Sequence, residues 1–145
     1  MIGIRKVLVT GGGTGIGRAV AEALLAQGGS VVVCGRRAAP LDEVAALAPG
    51  RVHALVCDTT DPEQRATLLS RARALLGGLD GLVLSAGMVA HELPGQLGEA
   101  SLRAQLEVNL VAPMRLLEQA VTAIDEGGAA VVVASLFEII PTFLI

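Results

Sequence analysis

The chain has 145 residues, a formal net charge of −3, 52% hydrophobic residues and only 1% aromatics. That length suits one ordinary domain with a real core, and that apolar content excludes a disordered chain. The acidic balance excludes a basic nucleic-acid footprint, and no apolar run reaches the roughly 20 residues of a membrane span.

Residues 6–10 (KVLVT) read as a buried strand. Residues 15–27 follow as a helix, with Ile16, Ala19, Val20, Ala23 and Leu24 at helical spacing and Gly28-Gly29 as its stop. Residues 30–34 (SVVVC) predict a second strand. Residues 40–48 predict a short helix that opens on Pro40 and closes at Pro49-Gly50. Residues 52–57 predict a third strand. Asp61-Pro62 is an N-cap followed by a first-turn proline, Glu63 adds a favourable charge, and the helix runs to about Leu76. Residues 82–85 predict a fourth strand and residues 93–98 a loop. A long helical stretch from about Ala100 to Ile124, expected to break near Pro113, leads to a fifth strand at residues 129–134. Residues 136–145 are apolar without a clear period.

Strand and helix alternate, which predicts βαβ units. Right-handed crossovers then restrict the topology to a doubly wound parallel α/β sheet of about five strands. No linker, repeat or low-complexity segment divides residues 1–145, so one domain is expected. Cys34 and Cys57 each end an apolar strand-like run and are expected as buried, reduced thiols. Arg5 and Lys6 precede only a short apolar run, which is not a signal-peptide pattern, so the cytoplasm is the expected location.

After the first strand comes Thr10-Gly11-Gly12-Gly13-Thr14-Gly15-Ile16-Gly17, leading straight into a helix. A sharp strand-to-helix turn of small residues lets backbone approach a pyrophosphate and aims helix N–H groups at it. A side chain at Gly15 or Gly17 is expected to block that approach. A plain glycine turn is the alternative, but the strand before and the helix after favour the phosphate site. The spacing is not G-x-G-x-x-G, and no Gly-Lys-Ser/Thr follows, so this is no Walker loop.

The spacing Thr-Gly-x-x-x-Gly-x-Gly resembles the short-chain dehydrogenase/reductase family, and the resemblance extends over nearly the whole chain. It implies a Rossmann-type NAD(P)-binding domain, incomplete on its C-terminal side. Thr10, Gly11, Gly15 and Gly17 match the family's cofactor loop, with Gly13, Thr14 and Ile16 between them. Asp58, followed by Thr59, is similar to the Asp that holds the adenine amino group. Ser85-Ala86-Gly87 resembles the end of an Asn-Asn-Ala-Gly motif, although Leu84 and Ser85 stand where the family has two Asn. Asn109 and Ser135 resemble the Asn and Ser of the catalytic tetrad. The residues alone leave plainer roles open: Asp58 as a turn former, Asn109 as a helix residue satisfied by backbone, and Ser135 as a strand-end cap.

In a dinucleotide fold, a carboxylate about 20 residues past the glycine loop bonds the ribose 2′-OH of NAD. Here the second strand ends Cys34-Gly35-Arg36-Arg37, with no carboxylate. The planar fork of Arg36 suits a 2′-phosphate and Arg37 adds charge, so NADP(H) is preferred over NAD(H). Two solvated loop arginines are the alternative. The missing acid also disfavours a methyltransferase-type sheet.

The resemblance further implies an oxidoreductase acting on a carbonyl/alcohol pair of a small-molecule substrate. In that family a Tyr transfers the proton, and a Lys four residues later lowers its pKa. The Ser polarises the substrate oxygen and the Asn supports a water-linked proton relay. This sequence has no Tyr, and its single Lys is Lys6. A truncated chain, inactive alone, is therefore expected. A non-catalytic NADP(H)-binding module and a fragment that does not fold alone are the other expectations. His53 and His91 have no partners at ligand spacing, so no metal is expected, and Glu92 beside His91 reads as a solvated loop pair. The helix from about Ala100 is the kind such proteins use to dimerise, so a homo-oligomer is expected. Nucleic-acid and membrane partners are not.

Overall fold

A computed structural model of the chain describes residues 3, 5–90 and 96–134. Five strands, β1 Lys6–Thr10, β2 Ser30–Gly35, β3 Val52–Val56, β4 Gly81–Leu84 and β5 Ala129–Val132, form one sheet in the order β3-β2-β1-β4-β5. Every pairing is parallel. The chain builds outward from β1 to β3, then returns to the other side of β1 with β4. This is the doubly wound arrangement that places a crevice at the C-terminal ends of β1 and β4, where the winding direction reverses.

The helices are α1 Gly15–Ala26, α2 Ala38–Ala45, α3 Pro62–Leu76, α4 Glu99–Leu106 and α5 Ala112–Ala123. Successive strand residues face opposite sides of the sheet. Val7, Val9, Val31 and Val33 pack with Ala21 and Leu25 of α1 and with Leu41 and Val44 of α2. Leu8, Val32 and Leu82 pack on the other side with Leu68 and Leu69 of α3 and Leu116 of α5. Helices on both faces explain why β1 and β2 are continuous apolar runs instead of alternating ones. β5 reads much the same in sequence, yet all four of its residues are exposed.

Polar contacts tie down the N-terminal ends of the strands. Asp80 accepts from the backbone N–H of Arg5 at 3.0 Å and of Lys6 at 2.7 Å. Lys6 Nζ donates to the Gly77 carbonyl at 2.8 Å. Asp125 accepts from the Leu79 N–H at 3.0 Å and pairs with Arg73 at 2.6 Å. The opposite, C-terminal ends of β1, β2 and β4 are left to form a cleft.

The break expected near Pro113 does not occur. α4 passes into a π-helical turn, Glu107–Val111, and then directly into α5. Proline has no N–H to donate, and its ring crowds the carbonyl four residues back, here that of Asn109. Widening the preceding turn relieves that crowding: Ala112 N–H donates to Glu107 O, five residues back, and the helix continues. No described helix is long and apolar enough to cross a membrane.

Candidate nucleotide-binding site

A cleft of about 410 Å³ lies at the C-terminal ends of the strands. One wall is the β1–α1 loop, the floor is the ends of β2 and β3, and the far wall is the segment after β4. Gly11, Gly13, Thr14, Gly15 and Ile16 line the first wall. Thr14 is the N-cap of α1 in extended conformation, but its side chain makes no capping bond, and the first turn holds no acidic residue. The leading N–H groups of a helix have no intrahelical acceptor, so at α1 they are available to a group in the cleft.

Gly15 has φ +54°, a left-handed backbone, and a Cβ built there would meet nothing within 4 Å. The residue must be glycine for its conformation, and the space beyond it is open cleft. Gly17 behaves differently. It is buried, it does not line the cleft, and a Cβ there would strike the carbonyl oxygen of Gly11. A side chain at Gly17 would therefore push helix away from loop before it could touch a ligand, which corrects the expected reason for a glycine at this position. Thr10 also lies behind the wall. It is 2% exposed, and its Oγ1 accepts from the N–H groups of Ser85 at 3.1 Å and Ala86 at 3.2 Å. Thr10 thus latches β1 to the segment after β4, so that Ala86 and Gly87 line the cleft opposite the glycine loop.

At the end of β2, Arg36 and Arg37 are exposed and line the cleft. Among the described residues neither guanidinium has a carboxylate partner. Beyond β3, Asp58 and Thr59 complete this end. Asp58 Oδ1 accepts from Thr60 N–H at 2.9 Å and Thr60 Oγ1 at 2.7 Å, so the turn-forming role is present together with the cleft position. Cys34 and Cys57 are free, buried and part of the floor. A hydrogen bond with Cys57, together with burial, pushes the Cys34 thiol up, which favours its neutral form.

Asn109 sits inside the π turn and grips the far wall. Its Oδ1 accepts from Met88 N–H at 2.8 Å and its Nδ2 donates to Met88 O at 2.7 Å. This is the backbone-satisfied arrangement left open by the sequence, with the backbone belonging to the cleft wall. Ser135, His91 and Glu92 lie outside the described residues. No group of three or more His, Cys, Asp or Glu among the described residues could hold a metal.

Three features escape sequence reasoning. Gln105 is buried and accepts from Ala90 N–H at 3.2 Å, holding the same wall as Asn109. The spacing of Gln105 and Asn109, four residues apart on one helical face, was the available signal. Met88, Val89 and Val108 add apolar surface to the cleft. Arg65 is buried behind Thr59, and nothing local marks it.

The sequence model of the short chain dehydrogenase family matches residues 5–143. The chain is 32% identical over 127 residues to a 2,5-dichloro-2,5-cyclohexadiene-1,4-diol dehydrogenase of Sphingobium indicum, covering 86% of this chain and 50% of that protein. It is 34% identical over 133 residues to the cis-4-hydroxycyclohexanecarboxylate dehydrogenase of Sinomonas cyclohexanicum, covering 89% and 53%. Its fold matches the crystal structure of a short-chain dehydrogenase/reductase, a glucose/ribitol dehydrogenase from Brucella melitensis, with a TM-score of 0.85 at 30% identity. That match covers 92% of this chain and 57% of the other. The chain spans about half the length of the curated relatives it matches. Since the glycine-loop spacing, the winding of the sheet and the sequence along almost the whole chain all follow one pattern, this chain belongs to the short-chain dehydrogenase/reductase family.

Proposed function

We propose that residues 1–145 act as one NADP(H)-binding unit, the nucleotide-binding part of an oxidoreductase that interconverts a carbonyl and an alcohol on a small molecule. Oxidoreductases of this family use nicotinamide dinucleotides, and the described residues fit one. The pyrophosphate would rest on the open N-terminus of α1, over Gly15, with Thr14 and Ile16 beside it. Asp58 would take the adenine amino group through Oδ2, because Oδ1 is held by Thr60. Ala86 and Gly87 would offer small-residue backbone to the rest of the dinucleotide, at the distance that Thr10 sets.

The observation that carries the NADP(H) preference is the pair Arg36 and Arg37. They stand exposed at the end of β2, where a carboxylate would serve NAD, and have no carboxylate partner among the described residues. When bound, the cofactor supplies hydride transfer. Asn109 holds the wall formed by Met88 in place, and Ser135 is proposed to polarise the substrate oxygen. Calorimetric titration of the chain with NADPH and NADH tests the assignment: tighter binding of NADPH is expected, and equal affinity for both overturns the preference.

Binding without turnover is the second reading, and Lys6 favours it. The sequence has no Tyr, and Lys6, its only Lys, is engaged with Gly77 O at the end of the sheet away from the cleft. These residues alone supply no Tyr–Lys pair, so no NADPH oxidation is expected when the chain is mixed with simple ketones. Steady loss of NADPH absorbance would reject this. Exposed Leu110, Met114 and Val121 along α4 to α5 support a homo-oligomer.

A further inference from the structure

Arg65, on α3, is the one charged side chain buried among the described residues, at 8% exposure. An aliphatic residue would satisfy the helix there equally well, since Leu68, Leu69 and Ala72 on the same helix enter the apolar core. A buried guanidinium is costly unless its donors are matched. Arg65 Nη1 donates to the carbonyl of Thr59 at 2.7 Å and of Thr60 at 3.2 Å, and it lies 3.8 Å from Glu107 Oε1. Glu107 is the first residue of the π turn that carries Asn109. Asn109 in turn bonds both backbone groups of Met88. Arg65 and Glu107 do not line the cleft, but Thr59 and Met88 do, at its two ends.

We infer that Arg65 is a positioning residue that couples the two ends of the cleft: through Glu107 and Asn109 it ties the Asp58–Thr59 segment to the Met88 wall, so that filling the adenine end orders the opposite end. The inference rests on the nucleotide-binding reading above. Its physical basis is that Thr59, Thr60 and Glu107 share one buried cation. A shift of the segment at Thr59 strands a donor of Arg65 unless Arg65 moves with it, and that movement changes its approach to Glu107.

The test uses the full chain and its variants Glu107→Gln, Arg65→Lys and Arg65→Met. In calorimetry with NADPH, Glu107→Gln and Arg65→Met are each expected to weaken binding roughly 3- to 30-fold, with Arg65→Lys recovering part of the loss. The second readout is amide exchange with adenosine 2′,5′-bisphosphate, a probe that fills only the adenine end. In the parent chain it is expected to slow exchange at both Thr60 and Met88. In Glu107→Gln it is expected to slow Thr60 alone, an effect that loss of stability by itself would not produce. Should Arg65→Met fail to fold, Glu107→Gln decides. Unchanged NADPH affinity in Glu107→Gln, with Met88 still protected by the probe, overturns the coupling and leaves the nucleotide site standing. Failure of the parent chain to bind NADPH at all overturns the nucleotide-binding reading, and the coupling with it.

Discussion

α1 and α3 both leave the C-terminal side of a strand, and they begin in opposite ways. At α3, Asp61 accepts from the N–H groups of Glu63 at 2.9 Å and Gln64 at 3.2 Å, and the Glu63 carboxylate adds negative charge to the first turn. At α1, the cap residue Thr14 makes no side-chain capping bond and the first turn holds no acidic residue. Each helix start carries about half a positive charge and several unmatched donors. α3 meets that demand from its own sequence and is structurally complete. α1 leaves it unmet beside a cleft and two arginines that pair with no carboxylate among the described residues, and that is what the proposed anion site requires. The same local physics thus leaves one helix start capped by its own chain and the other, the proposed phosphate site, uncapped, according to whether the chain supplies its own acceptor.

The sharpest way to break this contrast is to give α1 the cap that α3 has. Thr14→Asp should preserve or raise the melting midpoint while weakening NADPH binding on the order of 100-fold or more, because a fixed carboxylate competes with the phosphate for the same donors. Retained affinity in that variant, by calorimetry, would mean that the pyrophosphate does not sit at α1. Next in size, Arg36→Ala should weaken NADPH binding about 10- to 100-fold and leave NADH nearly unchanged, since only the former presents a 2′-phosphate. Equal losses would remove Arg36 from the recognition of that phosphate.

The reverse experiment is performed on α3. Asp61→Ala should lower the melting midpoint by a few degrees without altering NADPH affinity. A change in affinity as large as that of Arg36→Ala would show that the two helix starts are not separable. The smallest effect is on pH dependence. Asp61 is held below its ordinary value of 3.8 chiefly by the backbone N–H of Gln64. Asp125 is held below the same value chiefly by the Leu79 N–H and then by Arg73. An acid whose pKa is depressed by folding stabilises the fold above its unfolded value, and that stabilisation disappears as pH falls through the folded value. Unfolding midpoints in urea should therefore decline as pH drops below about 4, and Asp125→Asn should flatten part of that decline. A parallel decline in the variant would exclude Asp125 as a contributor.

Most of the fold was legible because its signals are local. The apolar runs at residues 6–10 and 30–34, and the Asp61-Pro62-Glu63 cap, all correspond to observed elements. Pro113 was legible as a disturbance, but its outcome was not. A proline can end a helix or widen the turn before it, and what the helix packs against decides between them. The side chains behind the cleft were harder to assign. Thr10 and Gly17 stand in the glycine motif and read as ligand contacts, yet one bonds a segment 75 residues away and the other packs loop against helix. Arg65 looks like any solvated arginine on a helix until the Thr59 carbonyl and Glu107 are brought to it.

By itself the sequence determined what depends on neighbouring residues: the strand and helix periods, the open start of α1, the closed start of α3, and two arginines without a carboxylate at the end of β2. These follow from spacing along the chain, because hydrogen bonding and side-chain direction within an element repeat with a fixed period. Only the tertiary structure decided what depends on elements remote in sequence: β4 beside β1, Thr10 against Ser85 and Ala86, Asn109 on Met88, and Arg65 between Thr59 and Glu107. Those contacts arise when the two apolar faces of the sheet are covered, and packing then fixes which polar groups meet.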